Sequence, residues 1–406
     1  MQYSEPPADG WQNRNDANPK IQFNDSYQLR GPKLKHICSI LILFVSTTGA
    51  IGFGLVHFDF APSQIDSDTV SEPIILPTTS CGRFFIAETY INGQGPFAML
   101  LDTGASKTIL SKEVAKSLGI KSRIKNLAIG DLKLSGRIKF SAKDIDHLDN
   151  ALGINIDGIL GHSVFKKVVL IYDYPAEQIR ARVGKLHSSM PGIAPMSKGS
   201  RPFLGAMIGD QKTNILLDTG SSGGLSLKNF NSLNFIAEPN PTGAIMRIDG
   251  MHIVHHGRLQ DNVRFGSLIL NQPIVKGSVG DSLLGQEILK DYVLSIDQQS
   301  GFVQIVHPDG TAIEDPIESP PLFGLGAAVL PGENAYVVRR AFDNTPANDA
   351  GLRKGDIIVE IDGQPIMNHG CERHKSNDNG PTSQTYLIER NGERFEVHLT
   401  TRALVD

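Results

Sequence analysis

The chain has 406 residues, 40% of them hydrophobic and 41 of them glycine, so it can bury substantial cores in several domains and is too apolar to stay disordered. Its 39 basic residues nearly balance 43 acidic ones and no run of Lys and Arg breaks that balance, which argues against nucleic acid as a partner. Three scattered cysteines, Cys38, Cys81 and Cys371, make neither a disulfide framework nor a zinc set, although one pair remains free to form.

Residues 37–56, ICSILILFVSTTGAIGFGLV, form twenty residues without a charge, about the length of helix that crosses roughly 30 Å of hydrocarbon. They are predicted to be a transmembrane helix. Arg30, Lys33 and Lys35 precede it, whereas Asp59, Asp66, Asp68 and Glu72 follow it with no Lys or Arg before Arg83. The positive-inside bias then leaves residues 1–36 as a cytoplasmic tail and everything beyond the helix outside the cytoplasm, in the periplasm if the source is bacterial. A cleaved signal peptide is the alternative; the long polar leader and the lack of a small-x-small site argue against it.

Residues 57–76 read as a linker, as do 188–201 and 307–321, whose Pro, Gly and Ser clusters lack apolar periodicity. Three units remain: 77–187, 202–306 and 322–406. The first two form an internal repeat. AMLLDTGASKTIL at 98–110 is answered by TNILLDTGSSGGLS at 213–226, and DGILGHSVFKKVVLIYD from Asp157 by DSLLGQEILKDYVLSID from Asp281. Short alternating strands with glycine turns predict all-β units.

The repeats differ in length. Gly130, at a strand turn, follows Asp102 by 28 residues, whereas the corresponding Gly266 follows Asp218 by 48. The extra residues include MRIDGMHIVHHGRL at 246–259, where Asp249-Gly250 between alternating segments signals a hairpin. His252, His255 and His256 have a spacing that suits a helix rather than a hairpin, and no nearby Glu or Cys completes a ligand set, so no metal or other cofactor is expected. Their titration near neutral pH would change the charge of the hairpin.

Each repeat carries an Asp after a run of apolar residues, followed by Thr-Gly. One such turn is only a corner, but two in matched repeats can meet if the units pack about a pseudo-twofold axis. Asp102 and Asp218 would then share one proton and face one water as general acid and general base. A rival nucleophile, Ser222 in Gly220-Ser221-Ser222-Gly223-Gly224, fits the pattern of a serine hydrolase elbow. An elbow needs a helix straight after the serine, and two glycines start a helix poorly.

LLDTGAS, LLDTGSS, GILG and SLLG resemble the retropepsin-like aspartic proteases over about residues 77–306. The resemblance implies two β-barrel lobes about a pseudo-twofold axis, a polypeptide substrate, and a site formed within one chain that is active as a monomer. Asp102 and Asp218 would be catalytic. Thr103 and Thr219 would cross-link the two loops, with Gly104, Gly220 and Ser221 supporting the dyad and the Ser221 hydroxyl donating to Asp218. Ile159-Leu160-Gly161 and Leu283-Leu284-Gly285 would pack against the loops, and the hairpin around Asp249, Gly250 and Met251 would be a flap over the substrate.

FGLGAAVL at 323–330 and NTPANDAGLRKGDIIVEIDGQPI at 344–366 resemble a PDZ domain of α+β architecture. This implies a carboxylate-binding loop at Gly324, Leu325 and Gly326 and capture of a peptide or protein C-terminus by β-augmentation. Residues 367–383 are polar and Gly-rich where a PDZ domain carries its groove helix. The expected whole is a mainly β, membrane-anchored aspartic endopeptidase. The alternative is a scaffold protein that holds peptide in protease-like lobes and recruits partners through the PDZ domain.

Overall fold

A computed structural model describes residues 72–247, 250–331, 334–366, 371 and 380–406. The apolar segment 37–56 lies outside these residues, and among the described residues no helix is long and apolar enough to cross a membrane.

The chain is mainly β with a few short helices. In the first repeat a seven-stranded sheet bends round until the Phe84–Ile91 strand pairs both with its neighbours and with Arg123–Ile129, giving a barrel-like closure. The Gln94–Asp102 strand runs parallel to Gly158–Gly161, with Leu101 opposite Leu160 and Asp102 opposite Gly161. The second repeat builds the same pair inside a ten-stranded sheet: Gln211–Leu217 runs parallel to Ser282–Leu284 with Leu217 opposite Leu284. These four leucines are at most 1% exposed. Each contributes roughly 1.5–3 kcal/mol by burial, so the apolar run before each Asp is what fixes its strand in the core. Both repeats also turn a hairpin on a left-handed glycine, Gly130 at φ 54° and Gly266 at φ 61°.

A third sheet joins the repeats. The Val169–Asp173 strand pairs antiparallel with Val293–Asp297, in a register centred on Ile171 and Ser295. Three stretches that read as linkers contribute strands. Ile74–Leu76 and Ile193–Pro195 flank this joint sheet, and Ile317–Glu318 extends the second repeat's sheet. Strands of two or three residues are too short to show apolar alternation, and the one proline among them, Pro195, sits on an edge strand, where no ladder donor is lost.

The C-terminal unit is a five-strand path of Ala327–Pro331, Tyr336–Ala341, Ile357–Ile361, Ser383–Arg390 and Glu393–Thr400 around its own core. Asp356, 1% exposed, is clamped by the Arg390 guanidinium at 2.6 and 2.7 Å and by the Arg353 N–H at 2.8 Å. A disulfide joins Cys81 of the first repeat to Cys371, 290 residues away, and Cys81 is packed in the cluster with Phe84, Ile86 and Leu152.

Candidate active site

The two Asp-Thr-Gly loops meet. Thr103 and Thr219 are each 2% exposed and bond reciprocally across the boundary between the repeats. The Thr103 N–H donates to Thr219 Oγ1 at 3.0 Å and the Thr219 N–H to Thr103 Oγ1 at 2.9 Å. Thr103 Oγ1 donates to the Leu217 carbonyl at 2.6 Å, and Thr219 Oγ1 to the Leu101 carbonyl at 3.3 Å. Both threonine N–H groups and both hydroxyls are thereby satisfied across the boundary, as their burial demands.

The glycines after the threonines have a steric reason. A Cβ on Gly104 would lie 2.5 Å from Asp218 Oδ1, and one on Gly220 would lie 2.5 Å from Asp102 Oδ1. Each loop can present its carboxyl to the other only because that position has no side chain. Gly161 and Gly285 serve one layer below. A Cβ there would meet the Ala105 and Lys107 carbonyls, or those of Ser221 and Gly223, within 2.7 Å. The next residues fasten the loops from beneath: the His162 N–H donates to the Ala105 carbonyl and the Gln286 N–H to the Ser221 carbonyl, both at 2.9 Å. The Gln286 amide also donates to the Thr219 carbonyl.

Asp102 and Asp218 are partly buried, and each lies against the glycine of the other's loop. Asp102 Oδ1 accepts from the Gly104 N–H at 2.7 Å and the Ala105 N–H at 3.3 Å; Asp218 Oδ1 accepts from the Gly220 N–H at 3.0 Å. Burial first, and then the charge of Asp218, pushes the Asp102 carboxyl up to about 7. Burial raises Asp218 too, but the Gly220 N–H, the neighbouring Asp102 and the charges of Arg201 and Lys276 pull against it. Both carboxyls are thus raised, and the influences that oppose the rise are more numerous at Asp218. The expected bond from the Ser221 hydroxyl to Asp218 is not made. The asymmetry comes from burial and from the second repeat's cations instead.

Several residues of this site escaped sequence reasoning. Lys276 lies in the Ile274–Gly277 strand, in no motif, with its Nζ 3.0 Å from where a Gly223 Cβ would stand. Tyr172, 1% exposed, places its hydroxyl 3.4 Å from Thr219 Oγ1, where the second repeat has Ile296. Arg83 of the first repeat pairs with Glu287 of the second, which Lys290 also meets at 3.1 Å. The only signal for Glu287 was its place two residues after SLLG.

The hairpin lies where its alternation indicated, as Asn240–Arg247 against Gly250–Arg258. Gly250 pairs with Arg247, so it belongs to a strand rather than to the turn; Asp249 lies outside the described residues. Met251 and Ile245 are 41% and 39% exposed, on opposite faces of the hairpin, since Ile245 pairs with His252, the residue after Met251. The neutral-pH titration expected of the histidines fails for His256. Burial, then Lys276 and His255, lower it to about 4, and its Nδ1 lies 2.6 Å from the Thr242 hydroxyl. Ser222 is followed by the Leu225–Leu227 strand and no helix, which removes the elbow reading.

At the C-terminal unit, Gly324 ends a strand paired with Arg402–Val405, and Gly326 turns at φ 70° against Thr345. The Leu325 and Gly326 carbonyls accept from the Ala347 and Phe342 N–H groups at 2.9 Å, which fixes the loop before the Ala327–Pro331 strand.

A family model for gag-polyprotein aspartyl proteases matches residues 87–149, the segment that holds Asp102 and its glycine-flanked loop. A PDZ model matches residues 337–370. The chain carries an aspartyl-protease-like domain and a PDZ domain. Among solved structures, a PDZ domain protein from Parabacteroides distasonis is similar at 20% identity, with 21% of each chain covered and a TM-score of 0.19; the chain thus spans about a fifth of that protein's length. No curated protein matches. The PDZ match ends next to Cys371, through which the PDZ domain is bonded to the protease-like domain.

Proposed function

We propose that the chain is an aspartic endopeptidase of two retropepsin-like lobes, with Asp102 and Asp218 as its catalytic pair. The observation that carries the reading is the meeting of the two Asp-Thr-Gly loops, each carboxyl lying against the other loop's glycine and the loops held by reciprocal threonine bonds between different repeats. A binding protein has no need to bury two acids against each other at the cost of their ionisation.

In the proposed reaction, ionised Asp218 takes a proton from a water whose oxygen attacks the peptide carbonyl carbon, while Asp102 gives its proton to the carbonyl oxygen. A neutral diol results. Asp218 then passes its proton to the amine nitrogen as the C–N bond breaks, and Asp102 recovers a proton from the diol, so the pair ends as it began. The hairpin 240–258 would close over the substrate, excluding water.

Both carboxyls come from one chain, so activity belongs to the monomer. Anchoring by residues 37–56, with the lobes outside the cytoplasm, is part of the proposal. The Cys81–Cys371 disulfide supports it, since such bonds persist in oxidising compartments. The test is digestion of a peptide library by the full chain, with new termini read by mass spectrometry. Internal cleavage at a recurring side-chain preference is expected. An undigested library across pH 4–7 would favour the binding alternative.

A further inference from the structure

The PDZ sheet has a free edge. The Ala327–Pro331 strand pairs on one side with Tyr336–Ala341 and, among the described residues, has no ladder partner on the other. This is the strand after the Gly324-Leu325-Gly326 loop, the place where a PDZ domain adds a peptide strand. Both faces of it are nevertheless covered. The PDZ core takes Ala327 and Val329, while Ala328 and Leu330, 0% and 4% exposed, form no part of that core.

The neighbour alongside is the first strand of the flap hairpin, Asn240–Arg247, which runs next to Ala327–Pro331 without a backbone ladder. Its base is tied to the C-terminal segment from both strands. The Asn240 side-chain amide donates to the Leu404 carbonyl at 2.7 Å; the Arg258 guanidinium donates to the Asp406 carbonyl and, at 2.8 Å, to that of Ser319. A hairpin that belongs to one protease lobe is thus lodged on another domain.

We propose that the flap is docked on the PDZ domain, its Asn240–Arg247 strand holding the edge of Ala327–Pro331 against any incoming peptide strand. Flap and peptide then exclude one another. A peptide that pairs with Ala327–Pro331 must displace the hairpin, and a hairpin drawn down over substrate must weaken or free that edge, because coupling between two sites is reciprocal. The consequence for cleavage rests on the flap role proposed above; the docking itself does not.

Amide hydrogen exchange on the full chain tests it without reference to activity. Leu330→Asp places a carboxylate in the contact from the PDZ side and is expected to speed exchange at 242–245 about tenfold while the Ser383–Arg390 strand stays protected. Asn240→Ala loosens the contact from the flap side, outside the PDZ core, and is expected to speed exchange at 328–330. Changes confined to the mutated strand in both proteins would overturn the proposal. If Leu330→Asp also exposes 383–390, the PDZ sheet has opened and Asn240→Ala decides alone: faster exchange at 328–330 supports docking and an unchanged rate rejects it.

Discussion

In the proposed reaction Asp102 carries the proton: burial and the charge of Asp218 both raise it, whereas the charges of Arg201 and Lys276 oppose the rise of Asp218. The proposed reaction needs one proton on the pair, so kcat/KM should fall as pH rises through about 7, where Asp102 ionises. It should also fall on the acid side as Asp218 protonates. Lys276 holds Asp218 down, so Lys276→Gln should move the acid limb to higher pH, whereas Ser221→Ala should leave it in place; the pH profiles of both variants on one peptide check this. The same shift bears on stability. A carboxyl raised on folding binds its proton more tightly in the native state, so its contribution is present below the unfolded value near 3.8 and lost as pH rises toward 7. Asp102→Asn should therefore melt higher than the wild type at pH 8 and with it at pH 4.

At the scale of elements, what joins the loops is a set of backbone groups with one side-chain partner each. Thr103→Val removes the acceptor of the Thr219 N–H and leaves a buried donor unpaired, at about 1–3 kcal/mol in urea unfolding, and Thr103→Ser should restore most of it. Replacing hairpin residues 243–254 by a short turn should lower kcat/KM on one cleaved peptide on the order of 100-fold, if the hairpin orients substrate. The repeat was legible because each apolar run before Asp-Thr-Gly fills a central parallel strand, and such strands read as continuous apolar segments. The strands at 74–76, 193–195 and 317–318 were not, because two or three residues carry no period. Lys276 and Tyr172 were missed for another reason: Lys276 reaches the site from a strand with no local signature, and Tyr172, although inside the repeated segment, stands where the second repeat has Ile296, so the repeat did not mark it.

The whole molecule is tied together at three levels: a joint sheet from both repeats, the Arg83–Glu287 ion pair between them, and the disulfide from the first repeat to the segment beside the PDZ sheet. Three cysteines alone could not choose a pair, since pairing depends on a contact 290 residues apart in sequence. Breaking it with Cys81→Ser should cost about 2–5 kcal/mol, read as a lower Tm that reductant reproduces in the wild type. Because one chain supplies both carboxyls, activity per molecule should not change on dilution, and sedimentation should find the active species monomeric. The central claim is that Asp102 and Asp218 act as one catalytic unit, and a mutant cycle reads that most directly. Measured as kcat/KM on one cleaved peptide, Asp102→Asn, Asp218→Asn and the double variant should all fall to the same residual rate. Additive losses, or a single variant that retains substantial activity, would contradict it.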